Sequence, residues 1–410
     1  MNVLIIGSGA REHTLATLVK ESPLSKRVIV APGNPGMKDV AEVVALREQK
    51  ELLAFAKREK VDLVIIGPEQ PLVEGLADVF RSAGLPVFGP GREGAKLEGS
   101  KAFSKVFMEE FSIPTAHAEM ATTLDEARAI ANNWEGLPVL KADGLAAGKG
   151  VFLPETPEET EATLMDLFVH HHLGAAANCL LFEERLIGPE ISFFMLRNEK
   201  GYTYLGSARD HKRAYDGDMG PNTGGMGTIS PAEELSSKEE EQLKEIMEST
   251  HRGLLSRKID FRGVLFIGAM RTEKGLKVLE YNVRFGDPET QSLLPRIKED
   301  ILELLKKTAE GEELPPAVSY TYPAGVCVCI ASDGYPVRGA VPQKVTLQTP
   351  DEGVRLFHAG TSETNGELVA SGGRVFSLVA FGDDVVQARA RVYKNIDSVH
   401  FEGMWYRKDI

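Results

Sequence analysis

The sequence predicts an α/β protein of three units: an N-terminal domain on a parallel sheet, a two-part central domain, and a small strand-rich C-terminal domain. Three observations carry that reading. Short β-rich runs, apolar on both faces, alternate with amphipathic helical patterns through the first hundred residues, as in a parallel sheet covered on each side. A second series of β-rich runs, broken by one Glu- and Lys-rich helical stretch, fills the middle of the chain. Pro315 and Pro316 interrupt the pattern, and strands with Gly-containing turns resume beyond them. A length of 410 residues suits about three domains.

In order, strands are expected at 3–6, 27–31, 62–66 and 86–88, with helices at 11–20, 49–60 and 71–83. The loops that follow these strands (G-S-G-A-R-E-H, P-G-N-P-G, G-P-E-Q-P and F-G-P-G) lie at the sheet edge where open α/β folds bind ligands. A connecting helix at 100–111 ends at Ile113-Pro114. From 115 to about 187 comes a smaller α/β module with helices near 124–133 and 157–170. Strands at 179–184, 190–196, 202–208, 263–270 and 276–282 form the central core, with a helix at 233–255 between them. The domains are expected at 1–104, 105–317 and 318–410.

Composition narrows the function. The hydrophobic share of 42% and charged share of 26% are those of a globular protein, and no apolar run approaches the ~18 residues of a membrane span. No basic leader precedes the first strand, and three cysteines in a long chain suit a reducing cytoplasm rather than a disulfide framework. A net charge of −13 disfavours nucleic acid, so any phosphorylated small molecule must meet cations gathered at its site. Nothing in the sequence demands an oligomer.

Residues 209–227, R-D-H-K-R-A-Y-D-G-D-M-G-P-N-T-G-G-M-G, hold five glycines, three aspartates and three cations. No helix or strand face can be drawn through them, and the stretch reads as a loop holding a small, charged, phosphate-bearing ligand. Four further motifs bear on chemistry. The turn Gly7–Gly9 after the first strand suits an anion at a helix N-terminus. As a dinucleotide fingerprint it fails, because Glu12 at the third glycine position should oppose close helix–strand packing. In K-A-D-G-L-A-A-G-K-G, Lys141 ends a strand and a small-residue loop with Gly148 and Lys149 reads as a flap over a polyphosphate. In L-L-F-E-E-R-L-I-G-P-E, acids and backbone are placed to line a base and ribose. In V-L-E-Y-N-V-R-F-G-D-P-E-T-Q, period two puts Glu280, Asn282 and Arg284 on one strand face, with two oxygen donors that suit Mg²⁺. Cys327 and Cys329 read as packing residues, and His170 to His172 as an exposed helix end.

These motifs, in this order over nearly the whole chain, resemble the ATP-grasp ligases, most closely the phosphoribosylamine–glycine ligase family of purine biosynthesis. D-H-K-R…G-P-N-T-G-G-M-G is the most specific, and L-E-G-S-K-A-F agrees with it. Departures are Ala10 for Gly, Pro35 for Ala and Arg209 for Gln, the last adding a cation beside the expected substrate. The resemblance implies a pre-ATP-grasp N-terminal domain and an ATP-grasp domain with a mobile lid at about 115–187. It implies that Lys105 and Lys141 bind ATP phosphates, that Glu183, Leu186 and Glu190 hold adenine and ribose, and that Glu280 and Asn282 ligate Mg²⁺ or Mn²⁺. Gly9, Asn34, Pro68 and Glu69 would accept phosphoribosylamine. Asp210, Lys212, Asn222, Gly224 and Arg284 would surround glycine and the transferred phosphoryl group. The implied activity is ATP-dependent joining of glycine to phosphoribosylamine through glycyl phosphate. The rivals are another ATP-grasp carboxylate–amine ligase or purine-pathway carboxylase, a nucleotide sensor on the same fold, and a Rossmann oxidoreductase.

Overall fold

The structure is a computed structural model that describes residues 1–145 and 150–410. Its first sheet has five parallel strands, with Asn2–Gly7 at the centre between Arg27–Pro32 and Leu63–Ile66. Val3 and Ile5 face one core while Leu4 and Ile6 face another, which is why these strands are apolar without alternation. Helix Ala10–Glu21 packs on the first face through Leu15 and Val19. The helix expected at 71–83 is two short ones, Glu69–Val73 and Leu76–Ser82. Gly75 at φ +86° turns the chain between them.

A second sheet of eight antiparallel strands runs from Gly275–Asn282 through Gly227–Ser230 to Ala324–Ala331, Arg374–Gly382 and Val354–His358. The C-terminal strands thus extend the central sheet directly. Cys327 and Cys329 are fully buried on Ala324–Ala331. Helix Ser237–Ser256 opens with a capping box between Ser236 and Glu239 and packs Leu243, Ile246 and Leu254 onto the sheet. A four-stranded lid sheet, ordered Ala118–Ala121, Leu180–Glu183, Val139–Ala142, Val151–Phe152, has its own small core with helices Leu124–Asn133 and Pro157–Phe168. His170 to His172 follow the second helix and are exposed. Among the described residues no helix is long and apolar enough to cross a membrane.

One irregularity decides where the chemistry points. Leu276 and Val278 face the core, so strict alternation would bury Glu280 and Asn282 beside them. The register with the neighbouring strand shifts there: Gly268 pairs with Glu280 but Ala269 pairs with Val278, leaving Leu279 as an extra residue. That bulge reverses the phase. Tyr281 and Val283 take the core side, and Glu280, Asn282 and Arg284 turn to the opposite face.

Candidate active site

The site lies where the lid sheet, the bulged strand and the first sheet's loop edge meet. On the lid side, the Glu183 carboxylate bridges two lysines, with Lys141 Nζ at 2.7 Å and Lys105 Nζ at 3.3 Å. Lys105 also donates to Thr115 Oγ1 at 2.8 Å and to the Ala116 carbonyl at 3.1 Å. Thr115 in turn donates to the Val278 carbonyl, and Lys141 reaches the carbonyl of the bulged Leu279 at 3.4 Å. Burial pushes the Lys105 ammonium below its ordinary pKa against the pull of Glu183. Glu183 is therefore spent on the two lysines in this structure rather than left open for a ribose.

Lys101 is a residue that the sequence reading passed over. It follows Ser100, the N-cap of helix Lys101–Glu110, within the L-E-G-S-K-A-F motif. The Ser100 hydroxyl and the Ala102 N–H both bond Asp143 at the base of the lid loop, at 2.9 and 2.7 Å. The lid loop is thereby tied to a helix N-terminus, where a carboxylate is favoured. Gly148 and Lys149 of the expected flap lie outside the described residues.

On the bulged strand, burial would raise the Glu280 pKa, but Lys212, Lys141, Lys101 and Arg284 outweigh it and hold the carboxyl below its ordinary value. Asn282 Oδ1 accepts from Arg284 Nη2 at 3.1 Å. Arg284 also pairs with Glu98 at 3.0 Å and Glu69 at 3.3 Å, joining the first sheet's loop edge to the central site. Glu98, which the sequence reading missed, accepts the Val283 N–H at 2.8 Å, and burial raises its pKa. Lys212 pairs with Glu190 at 2.6 Å. Burial would lower the Lys212 pKa, but Glu190, Glu280 and Asp210 raise it.

Residues 209–227 are not a bare loop. Arg213–Tyr215 and Met219–Asn222 pair as a small hairpin, with Gly217 and Asp218 both at positive φ in its turn. The C-terminal segment holds the hairpin. Arg407 pairs with Asp218 at 2.7 Å, Asp409 accepts the Gly217 N–H at 2.7 Å, and Asp216 accepts the Lys408 N–H at 2.8 Å. Those partners are nearly 200 residues away in sequence, so local composition could not reveal the strands. Arg209 pairs with Glu233 at 3.0 Å. Asn222 is exposed on the hairpin, and among the described residues its side chain makes no hydrogen bond to the clusters above. Gly224 has its N–H held by Tyr335 and its carbonyl by Arg374.

Asp210 ends its strand with Oδ1 buried and, among the described residues, without a hydrogen-bond partner. Burial and the nearby Glu289 carboxylate raise its pKa well above the ordinary range. Burial likewise raises that of Glu289, a further residue missed in the sequence. Asp287 departs the other way. Burial would raise it, yet Arg374 and Arg11 hold it low.

The Gly7–Gly9 turn is also used differently from expectation. Glu12 does not obstruct packing. It is 2% exposed, accepts the Gly9 N–H at 2.7 Å, pairs with Arg11 at 2.5 Å and lies across Gly7 and Gly67. A Cβ on Gly67 would stand 2.0 Å from its Oε1, so the glycines make room for the chain's own carboxylate. Asn34, 5% exposed, donates to the Ser8 and His358 carbonyls, both at 2.9 Å, and accepts the Gly36 N–H. Pro68 is the N-cap of helix Glu69–Val73, so Glu69 sits in its first turn facing Arg284. Leu186 lies half-buried in the connector from the lid to the central sheet. The connector is anchored by Lys277 to Glu184 at 2.9 Å and by the Arg271 N–H to the Pro189 carbonyl.

Comparison with known proteins divides the chain into three segments. Residues 1–98, 99–290 and 325–410 match the N, ATP-grasp (A) and C domains of phosphoribosylglycinamide synthetase. The chain is 43% identical over its whole length to phosphoribosylamine–glycine ligase of Halalkalibacterium halodurans, covering 96% of that protein, and 43% identical to that of Mesorhizobium japonicum, covering 97%. It is similar to the crystal structure of the Thermotoga maritima phosphoribosylamine–glycine ligase, with a TM-score of 0.90, 34% identity and 100% of both chains covered. The biotin carboxylase domain of a Hydrogenobacter thermophilus 2-oxoglutarate carboxylase matches in fold alone, at TM-score 0.77 and 17% identity over 98% of this chain and 91% of that one.

Proposed function

The chain belongs to the phosphoribosylglycinamide synthetase family, and on that premise we propose how its residues divide the work. The reaction joins glycine to 5-phosphoribosylamine at the expense of ATP in purine biosynthesis. Glycine is activated as glycyl phosphate, and attack by the amine then gives the amide, with ADP and phosphate released. The physical obstacle is the approach of a carboxylate to a triphosphate: two like charges at 4 Å repel by about 4 kcal/mol at an effective dielectric of 20. Uncompensated, each such pair slows the step roughly a thousandfold.

The observation that carries the assignment is the meeting of Lys105 and Lys141 at Glu183, with Lys141 also reaching the Leu279 carbonyl next to Glu280 and Arg284 bonded to Asn282 on the same strand face. In this reading Lys105, Lys141 and Lys101 receive the ATP phosphates once Glu183 yields its lysines. Leu186 and the connector hold the adenine, with Glu190 near the ribose. Lys212 and Arg284 face the carboxylate of glycine, and the unpartnered Asp210 oxygen receives its ammonium. Gly9, Asn34, Pro68 and Glu69 border the phosphoribosylamine side. Glu280 and Asn282, a carboxylate and an amide oxygen on one strand face, fit Mg²⁺ or Mn²⁺, which take few protein ligands. When bound, the ion supplies neutralisation of phosphate charge. The enzyme is proposed as cytoplasmic, which three free cysteines suit, and as a monomer, since the roles assigned here call for no residue of a second chain.

Substrate omission tests the reading. ADP release from ATP is expected only when glycine and freshly generated phosphoribosylamine are both present, with little from ATP and glycine alone. Equal release with formate or bicarbonate in place of glycine would overturn it.

A further inference from the structure

Arg374 opens the strand Arg374–Gly382, far in sequence from the residues assigned above. Its Nη1 lies 2.7 Å from the Gly224 carbonyl, 3.2 Å from that of Gly225 and 2.6 Å from that of Asp287. Nη2 stands 3.7 Å from the Asp287 carboxylate. A second side chain of the same region meets the same turn, since Tyr335 Oη accepts the Gly224 N–H at 2.9 Å. Tyr335 is seated on Gly373, where a Cβ would come within 2.2 Å of its ring. Gly225, at φ +112°, lies against Asp210, and a Cβ there would stand 2.6 Å from both Asp210 Oδ1 and Pro288 Cδ. The other Asp287 oxygen accepts the Arg11 N–H at 3.3 Å, so the linkage reaches the first sheet.

From these contacts we propose that Arg374, seconded by Tyr335, is a positioning residue for glycine. Three main-chain carbonyls from two loops converge on one guanidinium, which sets the spacing between the Gly224–Gly225 turn, the Asp287–Pro288 turn and the Asp210 oxygen. Converging carbonyl dipoles repel one another, and a planar cation with several N–H donors is what holds them together. All three carbonyls meet the one nitrogen Nη1 while Nη2 faces the Asp287 carboxylate, so a lysine at this place has the charge but a shorter reach and no second nitrogen for that carboxylate. The proposal rests on the reading that Asp210 receives the ammonium of glycine.

The test is steady-state kinetics on the full-length chain, varying ATP, glycine and phosphoribosylamine in turn, for R374A, R374K, Y335F and D210N. R374A is expected to raise the glycine KM about 10- to 100-fold, the loss that follows removal of charged hydrogen bonds. Its ATP KM stays at the wild-type value, and added guanidinium ion restores part of the glycine affinity. R374K stays impaired, and Y335F shifts the glycine KM in the same direction by less. Should R374A not fold, R374K and Y335F supply the same split between substrates. A wild-type glycine KM in the Arg374 variants, or a rise confined to phosphoribosylamine, overturns the proposal. A raised glycine KM in D210N would then show that the underlying reading survives. D210N with a wild-type glycine KM removes both.

Discussion

Glu183→Gln removes the carboxylate that Lys105 and Lys141 share while keeping its shape. The two ammonium groups stand 3.3 and 2.7 Å from its oxygens, and the side chains of Lys105, Lys141 and Glu183 are 1%, 11% and 4% exposed. At an effective dielectric of 20 the gross attractions are about 5 and 6 kcal/mol. Desolvation of three buried charges takes back much of that, so the expected net loss is the cost of breaking a buried pair, about 3–5 kcal/mol. The uncompensated charge is positive, and a triphosphate is the natural replacement for the missing anion. Urea unfolding without nucleotide should therefore shift to lower denaturant in the variant, and saturating Mg·ATP should recover most of the difference by mass action. That recovery requires ATP to bind the variant more tightly than the wild type, as expected where no carboxylate competes with its phosphates. Were Glu183 a ribose ligand first, ATP would bind more weakly instead. Wild-type stability of the nucleotide-free variant would refute the reasoning.

Glu280→Gln should lower turnover by about 10²- to 10³-fold, the usual cost of removing one group that neutralises transferring charge. Wild-type turnover at ordinary Mg²⁺ would take Glu280 out of the metal role. A pH prediction follows from three buried histidines: burial pushes His13 down to about 3 and both His211 and His358 down to about 4. The unfolded chain, with ordinary values near 6.5, takes up these protons first, so their stabilisation is complete above that pH and drains away as pH falls toward 4. At pH 5 each neutral imidazole has lost about 2 kcal/mol by this linkage. His13→Asn keeps an acceptor for the His358 N–H, which His13 Nδ1 now meets at 2.9 Å, and should flatten the acid limb of urea stability. An unchanged limb would exclude His13 as a contributor.

The motifs that carry charge were legible in the sequence because their chemistry is local. Lys141 at a strand end, the Glu280–Asn282–Arg284 face and the glycine-rich stretch after Asp210 could each be read from residue type and spacing. Lys101, Glu98, Glu289 and Arg374 were missed for a shared reason. Each has an ordinary place in a helix or strand, and its meaning comes from a partner elsewhere, such as Arg284 for Glu98 or the Gly224 and Asp287 carbonyls for Arg374. Glu12 was misread because local spacing gave no sign that Gly67, on another strand end, would open room for its carboxylate.

Sequence by itself determined the alternation of strands and helices in the first sheet, the place of the lid elements and the inventory of cations and acids. These follow from side-chain periodicity and backbone preference, which act over a few residues. Tertiary structure alone decided which way the inventory faces. The extra residue at Leu279 reverses the strand so that Glu280 leaves the core, and that bulge exists only through the register with the neighbouring strand. It also decided that residues 209–227 contain a hairpin, since Arg407 and Asp409, which hold it, lie at the C-terminus nearly 200 residues on. Pairing register and long-range ion pairs are set by contacts between distant segments, and no local window of sequence contains both partners.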